Sequence, residues 1–176
     1  MPHRKAIELA VWAHDAIYAT RLPDYADNET RSAQWLVELA AECCEPGWRS
    51  EHAGEIEFAR ELVIATRAHR LPASVAGDPG RQHAAALFLD ADLAILAAPP
   101  ERLLAYDRDI GREWGQAPGA WSDAFREGRC RALRQLRAQA PLFMSAEFAP
   151  LTAAAHANLD RLIRLYDRPA TGADGA

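Results

Sequence analysis

Residues 81–97 run Arg-Gln-His-Ala-Ala-Ala-Leu-Phe-Leu-Asp-Ala-Asp-Leu-Ala-Ile-Leu-Ala. Ala84, Leu87, Phe88, Ala91 and Ile95 recur at three and four, the period of a helix with one buried face. The stretch therefore predicts a core helix. It also poses a problem, because Asp90 and Asp92 stand inside an otherwise apolar run, and a carboxylate buried without a partner is expensive. The two lie about 200° apart around a helix, so one helix cannot aim both at the same point. One is expected to serve as a ligand, and the other to cap, pair or face solvent.

The same period extends outward in both directions. Ile7, Ala10, Val11, His14 and Ile17-Tyr18 mark one face of a first helix, and Leu22-Pro23-Asp24 breaks the chain after it. Asp27 or Asn28 is a fitting N-cap for a second helix through Leu36 and Leu39 to Cys43, which Pro46-Gly47 ends. A third helix is expected over 54–69, with Ile56, Ala59, Val63 and Thr66 inward. The prolines and glycines of Leu71–Gly80 read as a loop. Beyond Pro99-Pro100 a fifth helix carries Leu103, Leu104, Tyr106, Ile110 and Trp114. Gly115–Gly119 is a turn, a sixth helix spans 121–139, and the last holds Leu151, Ala155, Leu159, Leu162 and Leu165. No alternating segment, internal repeat or heptad run is present. The expectation is an all-α bundle of about seven helices forming one domain over 1–168, with a small-residue tail over 169–176.

Composition narrows the function classes. With 176 residues, 49% of them hydrophobic, the chain can build a real core, burying roughly 70% of its extended surface. No run approaches the ~18–20 apolar residues of a membrane span. Glu8, His14 and Asp15 interrupt any secretory signal. Cys43 and Cys44 are neighbours and Cys130 stands alone, which is not a disulfide framework. A cytoplasmic protein without a membrane partner is expected. A net charge of −5 argues against a nucleic acid polymer as partner. Lys5 is the only lysine, so the positive charge is nearly all guanidinium, which grips phosphate and carboxylate bidentately.

His14-Asp15 is the most informative dipeptide, since His14 falls on the face that Ile7, Ala10 and Val11 mark as buried. Asp15 lies about 100° further round, so both side chains can reach one ion alongside the helix. Imidazole nitrogen with carboxylate oxygen suits a divalent transition metal. Taken alone, the doublet reads first as a hydrogen-bonded buried histidine beside a solvated aspartate. His52, His83 and His156 read as surface histidines, and the five tryptophans as core or interface anchors.

An ordered set of motifs then resembles the HD-domain superfamily of metal-dependent phosphohydrolases, in a branch described as predicted metal-dependent HD phosphohydrolases. The set comprises Ala-Val-Trp-Ala-His14-Asp15-Ala-Ile-Tyr18, Asp27-Asn28-Glu29-Thr-Arg31-Ser32-Ala33 and Ile64-Ala-Thr66-Arg67-Ala-His69. It continues with Leu87-Phe-Leu-Asp90-Ala-Asp92-Leu-Ala-Ile-Leu and Ala98-Pro-Pro-Glu101-Arg102. Weaker echoes follow at Phe125–Arg129 and Ala157–Leu159, so the resemblance spans about residues 6–165.

The resemblance implies a helical bundle around a divalent ion (Mn, Fe, Co, Ni, Zn or Mg) held by His14, Asp15 and Asp92, the last preferred to Asp90. Glu29 or His69 would assist the attacking water, and Arg31 and Arg67 would hold phosphate. Read without the family, Glu29 is equally a first-turn acid and His69 a helix C-terminal cation. The implied substrate is a small phosphate ester, with nucleotides among the candidates, and a homodimer is compatible. In relatives a first histidine lies on a helix upstream of the doublet, whereas here thirteen residues precede His14. His3, almost three turns and about 16 Å away on a continuous helix, cannot join the same ion. The rival expectation is therefore a non-catalytic HD-type helical module with an incomplete site.

Overall fold

The computed structural model describes residues 2–20, 27–117 and 120–167. The chain is all-α. Among the described residues it has eight α-helices, and the only β feature there is an isolated bridge between Ala117 and Ala120. It gathers into two compact units, Met1–Asp92 and Leu93–Ala176. The expected break at 22–24 and the expected tail at 169–176 lie outside the described residues, as do two residues of the turn at 115–119.

In the first unit, α1 (Arg4–Ala13) and α2 (Asn28–Cys43) pack on α4 (Ala53–Ala65), with α3 (Pro46–Glu51) between α2 and α4 in sequence. Most of α5 (Pro79–Leu93) completes the unit. The inward stripe of α1 is Ala6, Ala10 and Ala13, all fully buried, whereas Val11 is exposed and Trp12 is 83% exposed. Of the expected face, Ala10 is inward, but Val11 is not, and Ile7 and His14 are only half-buried. Two adjacent stripes share the same period, and small alanine side chains let the helix axes approach where Val and Trp would hold them apart. The start of α1 is pinned from α4. Glu55 Oε2 accepts the Ala6 N–H at 3.2 Å and its Oε1 lies 3.3 Å from His3 Nδ1. Lys5 Nζ donates to His52 Nε2 and lies over the Trp48 ring, which stacks on His52. His52 is thus half-buried rather than a surface residue, while His83 is exposed.

Two prolines read as terminators instead begin helices. Pro46 occupies the first turn of α3, a short helix not among those expected, while the helix expected over 54–69 is α4 followed by a turn over 66–69. Pro79 opens α5 after Asp78, whose Oδ1 accepts the Arg81 N–H at 3.0 Å, so the expected loop ends earlier. A proline suits a first turn because its missing N–H would be unpaired there anyway. The middle of α5 is buried on most sides, with Ala84, Ala85, Ala86, Phe88, Leu89 and Asp90 all inside, whereas Ala91, expected inward, is exposed.

The second unit holds a 3-10 turn (Ala94–Ala97), α6 (Pro100–Glu113), α7 (Asp123–Arg137), a second 3-10 turn (Ala149–Leu151) and α8 (Thr152–Asp167). Leu103, Leu133, Leu142, Phe143, Leu159 and Leu162 form its core. Asn158 Nδ2 donates to the carbonyls of Leu96 and Ala98, closing the first 3-10 turn. Within that core, Asp107 is 1% exposed. Its Oδ1 accepts from Arg129 Nε (2.9 Å) and Nη2 (2.8 Å), and its Oδ2 accepts the Tyr166 hydroxyl at 2.7 Å. This satisfies the buried charge from two directions. Among the described residues no single helix is long and apolar enough to cross a membrane.

Candidate functional site

Four ionisable side chains of the first unit converge from three segments. His14 is the C-cap of α1 and Asp15 follows it. His69 closes the turn after α4, and Asp92 comes from the last turn of α5. His14 Nε2 lies 3.4 Å from Asp15 Oδ2 and 3.6 Å from Asp92 Oδ1, and His69 Nε2 lies 2.9 Å from Asp92 Oδ2. His14, His69 and Asp92 are each about three-quarters buried or more, whereas the Asp15 side chain is mostly exposed. Phe88 walls the group, edge-on to the His14 ring.

The tautomer of His14 follows from its other contact. Nδ1 is 2.9 Å from the Val11 carbonyl, an acceptor only, so Nδ1 carries the proton. A neutral ring then turns the Nε2 lone pair toward two carboxylate oxygens, three acceptors without a donor among them. A proton shared among the three groups, or a cation between them, would supply the missing donor. The position favours positive charge, since the C-terminal end of α1 presents the negative pole of its dipole. The Asp15 carboxyl is pushed above the usual carboxylate range, first by desolvation of its inner side and then by Asp92 and Glu29, with His14 and His69 opposing. That places Glu29 within electrostatic reach of the cluster.

His69 reaches Asp92 at the expense of its backbone. It adopts φ +48°, left-handed for a residue with a β-carbon, as its N–H closes on the Ala65 carbonyl at 2.9 Å. Such strain persists only where surrounding structure holds it, and it concentrates at functional sites. Arg67, two residues earlier, binds the first turn of α2. Its Nε donates to Glu29 Oε2 at 3.2 Å and its Nη2 to Thr30 Oγ1 at 2.9 Å, with Asp27 Oδ1 3.8 Å away. Arg31 is exposed on α2, about 200° around the helix from Glu29. Asp90 is fully buried and points elsewhere than Asp92 along the same helix.

His3 sits at the far end of α1, against Glu55 and Phe58. Asp27, a candidate cap by sequence, occupies the N-cap position of α2 without a capping hydrogen bond. Asn28 caps nothing either. Its Oδ1 accepts the Ala19 N–H at 2.8 Å and its Nδ2 donates to the Ala19 carbonyl at 2.9 Å. One helical turn on, Ser32 Oγ accepts the Ile17 N–H at 3.0 Å and donates to the Ile17 carbonyl at 3.2 Å. Sequence reasoning missed both roles. The available signal was Ser32, a polar residue in the buried stripe that also holds Ala33, Leu36 and Ala40.

Among the described residues no three His, Cys, Asp or Glu side chains stand in a ready-made metal cage. No family model, curated protein or solved structure matches the chain.

Proposed function

We propose that the chain is a metal-dependent phosphohydrolase of the HD type, acting on a small phosphate ester. One observation carries the reading: His14 Nε2, its lone pair exposed by the Nδ1 bond to Val11, faces carboxylate oxygens of Asp15 and Asp92 at 3.4 and 3.6 Å. Donors bound at ~2.1 Å around one tetrahedral ion are separated by about 3.4 Å, so these spacings fit a shared divalent cation. The donor set, one imidazole and two carboxylates, is also apt for such a cation. When bound, the ion would polarise a phosphoryl oxygen and lower the pKa of a coordinated water.

In this reading His14, Asp15 and Asp92 hold the ion. Glu29, oriented by Arg67, lies on the side from which it can accept a proton from water. His69 fixes Asp92 through its second oxygen, leaving the first for His14's side of the cluster. Arg67 already spends Nε and Nη2 on Glu29 and Thr30, and Arg31 lies on the side of α2 opposite Glu29, so this reading assigns the phosphate to neither guanidinium.

The test is metal content per chain after reconstitution with Mn(II), Co(II) or Zn(II), paired with turnover of a panel of phosphate esters. Wild type should retain near one ion, and D92N should lose both ion and turnover with its circular dichroism intact. Equal metal content in wild type and D92N would overturn the assignment. A second reading, a non-catalytic helical module, draws on one contact: His69 Nε2 and Asp92 Oδ2 already satisfy one another at 2.9 Å. A wild-type chain that binds none of the three metals would favour it.

A further inference from the structure

The doublet His14-Asp15 lies where α1 has ended, so the helix does not by itself fix where Asp15 points. Its position depends on what holds the chain immediately after it. In this structure two side chains of α2, Asn28 and Ser32, grip the backbone of that segment. Each engages both the N–H and the C=O of a single residue, Ala19 and Ile17 respectively. The engaged residues are two apart, the pattern that a partner strand makes along a sheet edge. The match is one of pitch. Four residues of α-helix rise about 6 Å, and two residues of extended chain span about 6.7 Å. One turn of α2 thus presents donors and acceptors at nearly the repeat of a strand. Glu29 stands on the same turn, so one element fixes the segment behind the doublet and the carboxylate that faces it.

We propose that Asn28 and Ser32 are positioning residues, a side-chain clamp that sets the direction of Asp15 and the metal affinity of the site. The inference rests on the metal-site reading above. Neither residue touches the cluster. Ser32 is fully buried and acts only through the backbone of Ile17.

The test uses the full chain with Co(II) as probe, its visible absorption reporting coordination, and amide hydrogen exchange at Ile17 and Ala19. S32A and N28A should free those amides while keeping a cooperative melt, and should weaken Co(II) binding about tenfold, the low end of what partners one step removed from ligands contribute. The absorption band should shift with the loss of Asp15, a change that mere loosening of the fold does not produce. S32T, which keeps the hydroxyl, should recover both affinity and spectrum. Freed amides with unchanged Co(II) affinity and spectrum would overturn the proposal. If wild type binds no Co(II), the metal reading fails by itself, and the clamp is then judged on the His14 ring resonances. Displacement of those resonances in S32A sustains the clamp, and unmoved resonances end it.

Discussion

Replacing His69 by glycine separates strain from function, because the two pull stability and activity in opposite directions. At φ +48° a residue with a β-carbon pays roughly 1–2 kcal/mol that glycine does not. Against this gain, glycine adds about 0.5–1 kcal/mol of unfolded-chain entropy. The partly exposed ion pair with Asp92 contributes about 0–1 kcal/mol, and losing the ring, 18% exposed, costs about 1 kcal/mol of burial. These contributions nearly cancel. H69G should therefore melt within about 1 kcal/mol of wild type, a shift of no more than about 4 °C for a chain of this size. If His69 orients Asp92, metal retention should nevertheless fall. Urea and thermal denaturation read the first quantity, and metal titration reads the second. A loss above about 2 kcal/mol would show that the side chain holds the fold together, and the strain argument would fail.

Three further outcomes follow from the geometry. The Tyr166 phenol, desolvated and hydrogen-bonded to Asp107, is raised well above the ordinary tyrosine range. It should remain protonated when the other tyrosines ionise, as followed by ultraviolet absorbance. Its contribution is fully present below the unfolded phenol's pKa near 10 and is lost as pH rises toward the folded value, so Y166F should flatten the alkaline fall in stability. An added Cβ at Gly111 would lie 3.2 Å from Trp121 Nε1, and Trp121 is itself stacked on Tyr166 at 4.7 Å. G111A should cost about 1 kcal/mol despite the better helix propensity of alanine, with a changed near-ultraviolet dichroism as the check. Asp78, held below the usual carboxylate range by the Arg81 and Gly80 N–H groups, supports α5 above its unfolded pKa and loses that support as pH falls. The melting temperature of D78A should trail wild type at pH 7 and meet it at low pH.

The helical class was legible because periodicity reports it directly, and α2 was placed almost to the residue. Which stripe of α1 faces inward was not, since Ile7–Val11 and Ala6–Ala10 share one period, and the choice rests on how closely the helix can approach α4. Pro46 and Pro79 misled because a proline in a first turn and a proline after a last turn look alike in sequence. What distinguishes Pro79 is the preceding Asp78, free to cap. At the site, His14, Asp15 and Asp92 drew notice as ionisable groups among apolar ones. Asn28 and Ser32 did not, because a small polar side chain that serves a neighbouring backbone leaves only a faint trace, here Ser32 within an otherwise apolar stripe. Their partners, Ala19 and Ile17, contribute only main-chain atoms.

Lys5 has a consequence for covalent chemistry. It is the sole lysine in the chain, and its ammonium is held by His52 and the face of Trp48. Any acylating reagent or lysine-directed modifying enzyme therefore has one side-chain address, on the helix that ends at His14. Acetylation there would remove the charge that Trp48 attracts and leave His52 a single, weaker amide N–H in place of the ammonium. A single label on the ε-amine, in turn, would report on the docking of α1 without ambiguity of site.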